Sequence, residues 1–325
     1  MKAIVYDRYG PPANLRLEEV EKPVPVDDQV LVKIHAVSLN RSDWETLIGT
    51  PLYARAGGLF RPGRRTLGSD IAGRVEAVGS NQTQFRPGDE VFADILDTMG
   101  GFAEYVCTRG KVMALKPAGL TFEQAAAIPQ AGVIAWQGIV SKGQVRPGQQ
   151  VLINGAGGST GVFAVQLAKL HGAEVTGVDN GGKQDFMRSL GADHVIDYTR
   201  EDFTATGRQY DLILDLVAHR SVFAYRRALR PNGRYFFVGG SMASLFQALL
   251  LGPLAGRSGD KRIGMLAVQP NRDDLLQVAE LCAAGTLVPA IETRVSLDAV
   301  PDALEDLGAG RVNGKLVITL NDKDA

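Results

Sequence analysis

The stretch Val151-Leu-Ile-Asn-Gly-Ala-Gly-Gly-Ser-Thr-Gly161 decides the fold of this 325-residue chain. Four apolar or strand-compatible residues run into a cluster of small ones, and a helical pattern follows with Val162, Phe163, Val165, Leu167 and Leu170. Read as Ala156-x-Gly158-x-x-Gly161, the cluster is a dinucleotide fingerprint with alanine in the first place. Small residues serve three needs there: the strand turns tightly into the helix, the backbone approaches a pyrophosphate, and the helix packs close on the sheet. Ala156, Gly157, Gly158, Ser159, Thr160 and Gly161 are therefore candidate cofactor-binding residues. A helix N-terminus beside them presents unpaired N–H groups and a partial positive charge to the phosphates. The other reading is a tight turn with no ligand.

Working outward, strands and helices alternate. Strands are predicted at Glu174 to Val178, His194 to Ile196, Asp211 to Leu216, Arg234 to Val238 and Ile263 to Val268. Helices are predicted at Thr160 to His171, Lys183 to Leu190, Val222 to Leu229 and Arg272 to Ala284. This alternation predicts parallel βαβ units in a doubly wound α/β sheet. Before Thr121 the chain reads as short β-branched runs broken by Gly, Pro and Asp turns, a β-rich domain of barrel or sandwich type. Thr121 with Gln124 forms a capping-box pattern that opens the first helix of the second half. The tail from Ile291 to Leu320 returns to short strands around one helix. The simplest organisation is residues 121–286 as a nucleotide-binding domain inserted into a β-rich domain of 1–120 and 287–325.

Composition narrows the function classes. Net charge is −1, with 35 basic and 36 acidic side chains interspersed, so no electrostatic footprint for nucleic acid is present. Cys107 and Cys282 are too few and too distant for a disulfide framework, which fits a reducing, cytoplasmic setting. The N-terminus carries no signal-peptide pattern. The run Leu245 to Leu254 is broken by Gln247, Gly252 and Pro253 and is too short to span a bilayer. A lid over the substrate or a subunit interface is expected for that segment.

Cofactor choice reads two ways. Asp179 ends the second strand of the nucleotide half, where an acid takes ribose hydroxyls and favours NAD. Lys183 lies four residues on, and Tyr198 ends the next strand; both are able to hold a 2′-phosphate, although Lys183 also reads as a solvated helix-start lysine. A phosphate charge about 4 Å from a carboxylate costs about 4 kcal/mol at an effective dielectric near 20. Asp179 must then point away or pair with Lys183 if NADP binds.

Several stretches together carry a resemblance. They are Val37-Ser-Leu-Asn-Arg-Ser-Asp43, Leu67-Gly-Ser-Asp-Ile-Ala-Gly-Arg-Val-Glu-Ala-Val-Gly79, Arg86-Pro-Gly-Asp-Glu-Val-Phe92 and Gly101-Phe-Ala-Glu-Tyr105. Ala135-Trp-Gln-Gly138, the phosphate loop, Leu190-Gly-Ala-Asp-His-Val-Ile-Asp-Tyr198, Asp211-Leu-Ile-Leu-Asp215 and Gly314-Lys-Leu-Val-Ile318 complete them. Nearly end to end, the chain resembles the medium-chain dehydrogenase/reductase superfamily in its zinc-free quinone oxidoreductase branch. The resemblance implies a GroES-like β domain plus a Rossmann domain, an active site in the cleft between them, NADP(H) as cofactor and a homodimer. It also implies 2′-phosphate binding by Lys183 and Tyr198, and it puts Lys315 among the cofactor-binding residues. Asp179 departs from the branch pattern. Ile134 stands where relatives often have a threonine near the cofactor.

Zinc-dependent relatives hold a catalytic metal through cysteine and histidine. Here those positions are Asn40 and Ser69, and His35, His171, His194 and His219 show no ligand spacing. A structural site needs four soft ligands and a catalytic one three, so no metal is expected. Without a Lewis acid, only hydrogen bonds support a developing oxyanion. A conjugated acceptor, which spreads that charge, is then favoured over a simple ketone. Asn40 is a candidate catalytic and cofactor-binding residue, its amide able to bond the nicotinamide ribose or the substrate oxygen; it also reads as a turn cap. Tyr53, in a Gly/Pro-rich loop, is a candidate hydrogen-bond donor or proton relay, or simply a surface tyrosine. Asp43 orients Asn40 or Arg41, or caps a helix. Val217 and Ala218 after the fourth strand, and Gly239 and Gly240 after the fifth, are candidates to line the cofactor. The expected activity is hydride transfer from NADPH to a small quinone or α,β-unsaturated carbonyl compound. A zinc-free alcohol or ketone oxidoreductase and a non-catalytic NADPH-binding sensor are the alternatives.

Overall fold

The structure, a computed structural model, describes residues 1–257 and 260–320. In chain order the main elements are β1 (Lys2–Val5), β2 (Arg16–Glu19), β3 (Gln29–Ser38), α1 (Arg41–Ile48), β4 (Asp70–Val78), β5 (Glu90–Asp94), β6 (Tyr105–Arg109), β7 (Met113–Leu115), α2 (Phe122–Ala126) and α3 (Pro129–Trp136). Then follow β8 (Gln150–Asn154), α4 (Ser159–Leu170), β9 (Glu174–Asp179), α5 (Gln184–Ser189), β10 (His194–Asp197), β11 (Tyr210–Asp215), α6 (Val222–Ala228), β12 (Leu229–Phe237), α7 (Met242–Phe246), α8 (Gly252–Arg257) and β13 (Arg262–Met265). The chain closes with α9 (Arg272–Ala283), β14 (Ile291–Val295), α10 (Val300–Gly308) and β15 (Lys315–Thr319). It packs as two units, one of Met1–Gln130 with the residues from Pro270 onward, the other of Ala131–Gln269.

The first unit is β-rich. Its large sheet runs β14-β15-β3-β4-β5-β7, with β6 also paired to β3. β3 is ten residues long and pairs β4, β6 and β15, all antiparallel. Gly73 in β4 has a backbone reason to lack a side chain: a Cβ there would lie 2.1 Å from the Lys33 carbonyl oxygen. The C-terminal strand returns beside β3, with Val317 opposite Ser38. α10 buries Val300, Ala303 and Leu304, the i, i+3, i+4 spacing of one helical face, against a core that includes Tyr6, Val32, Ile71 and Leu316.

The second unit is a six-stranded parallel sheet in the order β10-β9-β8-β11-β12-β13. Successive strands run outward from β8 to β10, and the chain then returns to β11 on the other side. The order therefore reverses between β8 and β11, the place where doubly wound sheets bind their ligands. Val151, Leu152 and Ile153 in β8 and Ile213 and Leu214 in β11 are wholly inaccessible, as central strands covered on both faces must be. Helix α4 is buried at Val162, Phe163, Ala164, Val165, Leu167 and Ala168.

The unit boundaries differ from the sequence reading, and α2, read there as opening the nucleotide half, belongs to the first unit. Helix α9, assigned above to the nucleotide half because it continues the alternation, packs in the first unit. There the Arg272 guanidinium lies over the Phe85 ring, and Ala283 sits against Gly119. Alternation gives the order of elements but not the surface each helix meets. The apolar run from Leu245 folds into the end of α7, a π-type turn and α8; it leaves Phe246, Leu249, Leu250 and Leu254 exposed. Among the described residues no helix is long and apolar enough to cross a membrane.

Candidate functional site

The phosphate loop joins β8 to α4 at the strand-order reversal. Gly155 adopts φ +87°, a left-handed conformation in which glycine carries no Cβ penalty. The Gly155 and Ala156 amides both donate to the Val178 carbonyl, at 2.8 and 3.1 Å, so the turn is stitched to β9. A Cβ on Gly161 would sit 2.4 Å from both the Gly155 and Ala156 carbonyl oxygens. Gly158 is different. A Cβ there would meet only the Gly155 oxygen, at 3.4 Å. Gly158 is also the N-cap of α4 and makes no side-chain cap. This leaves the helix N-terminus open for an anion, with Ser159 and Thr160 in its first turn.

Beside the loop, Asp179 is held firmly. Its Oδ2 accepts from the Gly157 amide at 3.0 Å, and its Oδ1 accepts from the Asn180 backbone amide at 2.8 Å and side-chain amide at 3.3 Å. The Lys183 ammonium lies 3.8 Å from Oδ1, and both side chains are largely buried. The Lys183 stem lies over Gly157, where an added Cβ would come within 2.7 Å of it. Of the two arrangements considered above, the structure shows the pairing one. Tyr198 is half exposed at the end of β10, its amide donating to the Asp179 carbonyl.

At the reversal itself, the last residues of β8 and β11 are joined. Asn154 Nδ2 donates to Asp215 Oδ1 at 2.7 Å and to the Val217 carbonyl at 3.2 Å. Val217 is 45 % exposed. Gly240 has φ +140°, and a Cβ there would lie 2.3 Å from the Ala218 oxygen. The bare backbone at Gly240 thus has a reason inside the chain, an isolated bridge with Ala218. Gly239 faces the Leu216 carbonyl in the same way, its Cβ position 3.1 Å away.

In the first unit a buried polar cluster gathers around Asn40, at the N-cap of α1. Asn40 Nδ2 donates to Ser69 Oγ at 3.0 Å, and its Oδ1 accepts from Lys315 Nζ at 2.7 Å. Asp43 accepts from the Asn40 and Gly68 amides at 2.8 and 3.1 Å, so it orients the Asn40 backbone and caps the helix at once. Asp70 accepts from the Gln130 amide at 3.1 and 3.2 Å and lies 3.4 Å from the Lys315 ammonium. Asp43, Ser69, Asp70 and Lys315 are completely buried. Burial pushes Asp43 up to about 7, two backbone donors opposing it. Burial, then the nearby Asp70, pushes Asp94 up to about 8. Burial also raises Asp70 and lowers Lys315, each countered first by the other's charge.

Tyr53 is on a short 3₁₀ turn of Leu52–Arg55. Its hydroxyl donates to Glu45 Oε2 at 3.1 Å, and burial followed by the Glu45 charge pushes it up to about 12. Sequence reading did not single out Asn154, Asn180 or Asp215 as site residues. Their only local signal was a polar residue at the end of an apolar strand.

Two family models match the chain: a GroES-like domain of alcohol dehydrogenases over residues 26–118 and a zinc-binding dehydrogenase model over 190–318. The chain is 34 % identical to a 2-methylene-furan-3-one reductase from Solanum lycopersicum over 98 % of its own length and 79 % of the relative's. It is 31 % identical to a mitochondrial NAD(P)H oxidoreductase from Bos taurus, over 98 % and 89 % of the two chains. A quinone oxidoreductase structure from Coxiella burnetii superposes with a TM-score of 0.89 at 31 % identity, covering 99 % of both chains. The chain belongs to the medium-chain dehydrogenase/reductase superfamily, among its quinone oxidoreductase-like members.

Proposed function

We propose that this oxidoreductase uses NADPH to reduce a small quinone or α,β-unsaturated carbonyl compound without a metal ion. The observation that carries the reading is the open, uncapped helix N-terminus at Gly158, set at the reversal of strand order with Asp179 and Lys183 beside it. Bound there, a dihydronicotinamide supplies a hydride, and the acceptor takes that hydride together with a proton from solvent. The chain's own residues bind and orient. The first-turn amides of α4 receive the pyrophosphate, while Lys183 and Tyr198 receive the 2′-phosphate. Val217, Gly239 and Gly240 line the other half of the nucleotide. Asp179, already neutralised by Lys183, is also placed for the ribose diol of NADH, so NADH is a second, weaker cofactor.

The metal-free reading rests on the donor set around Asn40. The amide, the Ser69 hydroxyl and the Asp70 carboxylate are neutral or hard ligands, and the Lys315 ammonium already sits between Asn40 and Asp70. A divalent cation there would compete with Lys315 Nζ for the same Asn40 and Asp70 oxygens. Lys315 acts through Asn40, whose amide it orients, and Asn40 and Tyr53 are the residues proposed to meet the nicotinamide ribose and the substrate oxygen. The relatives named as an enone-type reductase and a quinone oxidoreductase support the acceptor class. Fold alone does not fix a substrate.

The test is NADPH oxidation followed at 340 nm with a panel of quinones and enones, before and after chelator treatment. Turnover on the panel, unchanged by the chelator, is expected. Turnover of a plain alcohol or ketone with none on the panel would sink the acceptor class. Tight NADPH binding with no turnover on any acceptor would favour a sensor.

A further inference from the structure

Asp215 is completely buried at the end of β11, and among the described residues no cation pairs with it. It is served instead by neutral donors. Asn154 Nδ2 reaches Oδ1 at 2.7 Å, the Val217 amide reaches Oδ1 at 3.3 Å, and the Tyr235 hydroxyl reaches Oδ2 at 3.0 Å. The Tyr225 hydroxyl also bonds the carboxylate, and it accepts from the Arg220 amide at 3.2 Å. The Tyr225 and Tyr235 rings stack at 4.3 Å, which fixes both phenols. Burial pushes the Asp215 carboxyl up, and the donors from Tyr225, Asn154, Tyr235 and Val217 oppose that shift by stabilising the anion. When ionised, it places a negative charge in a low-dielectric setting, directly behind the strand-order reversal.

Its position along the dinucleotide follows from the topology. Asp179, on β9, marks the side where the adenosine ribose sits. The other mononucleotide half then lies over the ends of β11 and β12, at Val217, Ala218, Gly239 and Gly240. Asp215 is two residues before Val217 and bonded to its amide. A nicotinamide ring is neutral when reduced and cationic when oxidised, so a nearby anion discriminates between the two forms.

We propose that Asp215 is a buried counter-charge that makes this site bind the oxidised nicotinamide in preference to the reduced one, and so favours departure of hydride. This rests on the reading of the second unit as a nicotinamide nucleotide site. The test is a pair of dissociation constants, NADPH by fluorescence and NADP⁺ by calorimetry, on the full chain at pH 8. Asp215→Asn is expected to weaken NADP⁺ about tenfold, with NADPH changed by less than about twofold, the scale of one charge contact at intermediate dielectric. A purely structural tie would weaken both alike, and that result, or an unchanged ratio, overturns the proposal. Tyr235→Phe keeps the ring and removes one donor; it is expected to move the ratio the same way by a smaller factor, and it serves if Asp215→Asn does not fold. A wild type that binds neither nucleotide would instead end the functional reading itself, so the two failures are distinguishable.

Discussion

Asp179 and Lys183 stand four positions apart, and neither spacing nor residue type said how they would settle. The structure pairs them, with the carboxylate also fastened to the Gly157 and Asn180 amides. On the proposed reading, Lys183 would leave a partner to take a phosphate, while Asp179 keeps its place. We expect Lys183→Met to weaken NADPH by about tenfold while leaving NADH nearly unchanged, consistent with a charge-assisted hydrogen bond worth ~1.5–3 kcal/mol. Asp179→Asn should weaken NADH more than NADPH. Fluorescence titrations with both nucleotides check this, and equal losses for the two in either variant would contradict it. At this scale the fingerprint glycines were legible, because Gly155 needs its left-handed φ and Gly161 answers to the carbonyls of its own loop. Gly240 was legible as a required glycine but not for its reason. The atom that crowds it belongs to Ala218, more than twenty residues away in sequence.

The start of α1 shows what one element end can concentrate. Asp43, at the third helical position, closes on both the Asn40 amide and the Gly68 amide from the strand-entry loop. Its carboxyl is pushed up from 3.8 to about 7 by burial. A group whose folded value lies above its unfolded value stabilises the fold most at low pH, and that contribution drains away as pH rises through the folded value. For Asp43 the window runs from about 4 to about 7, and the full swing is roughly 4 kcal/mol. The stability deficit of Asp43→Asn relative to wild type should therefore shrink as pH rises across that window. Denaturant titrations at pH 4.5, 6 and 7.5 measure it; a deficit that stays constant or grows with pH would refute the assignment. The capping role was one of two readings the sequence left open. The second amide, Gly68, comes from β4's approach and had no local trace.

At the scale of the whole molecule, the second unit leaves Phe246, Leu249, Leu250 and Leu254 in water along a single short segment. Exposed apolar patches of this kind mark interaction surfaces in soluble proteins. With the resemblance, this supports a homodimer. Light scattering should give twice the chain mass at micromolar concentration, and Phe246→Glu with Leu250→Glu should shift it to the monomer. A wild type that is monomeric at that concentration would remove the expectation. Among the described residues no group of three or more His, Cys, Asp and Glu is arranged to hold a metal ion. The chelator comparison above tests the metal-free reading directly.

By itself the sequence determined the architecture. Short β-branched runs broken by turns before Thr121, then strand–helix alternation around Val151 to Gly161, specify a β-rich unit and a doubly wound sheet, because backbone hydrogen bonding and local burial act over a few residues. It also determined the tight turn from Gly155 to Gly161 between strand and helix, whose steric demands are local. Only the tertiary structure decided which unit receives α9, that Lys315 closes on Asn40 across 275 positions, and that Asn154 and Asp215 meet across the reversal of strand order. A buried polar group must find a partner, but nothing in the local chain says which distant one will be brought to it.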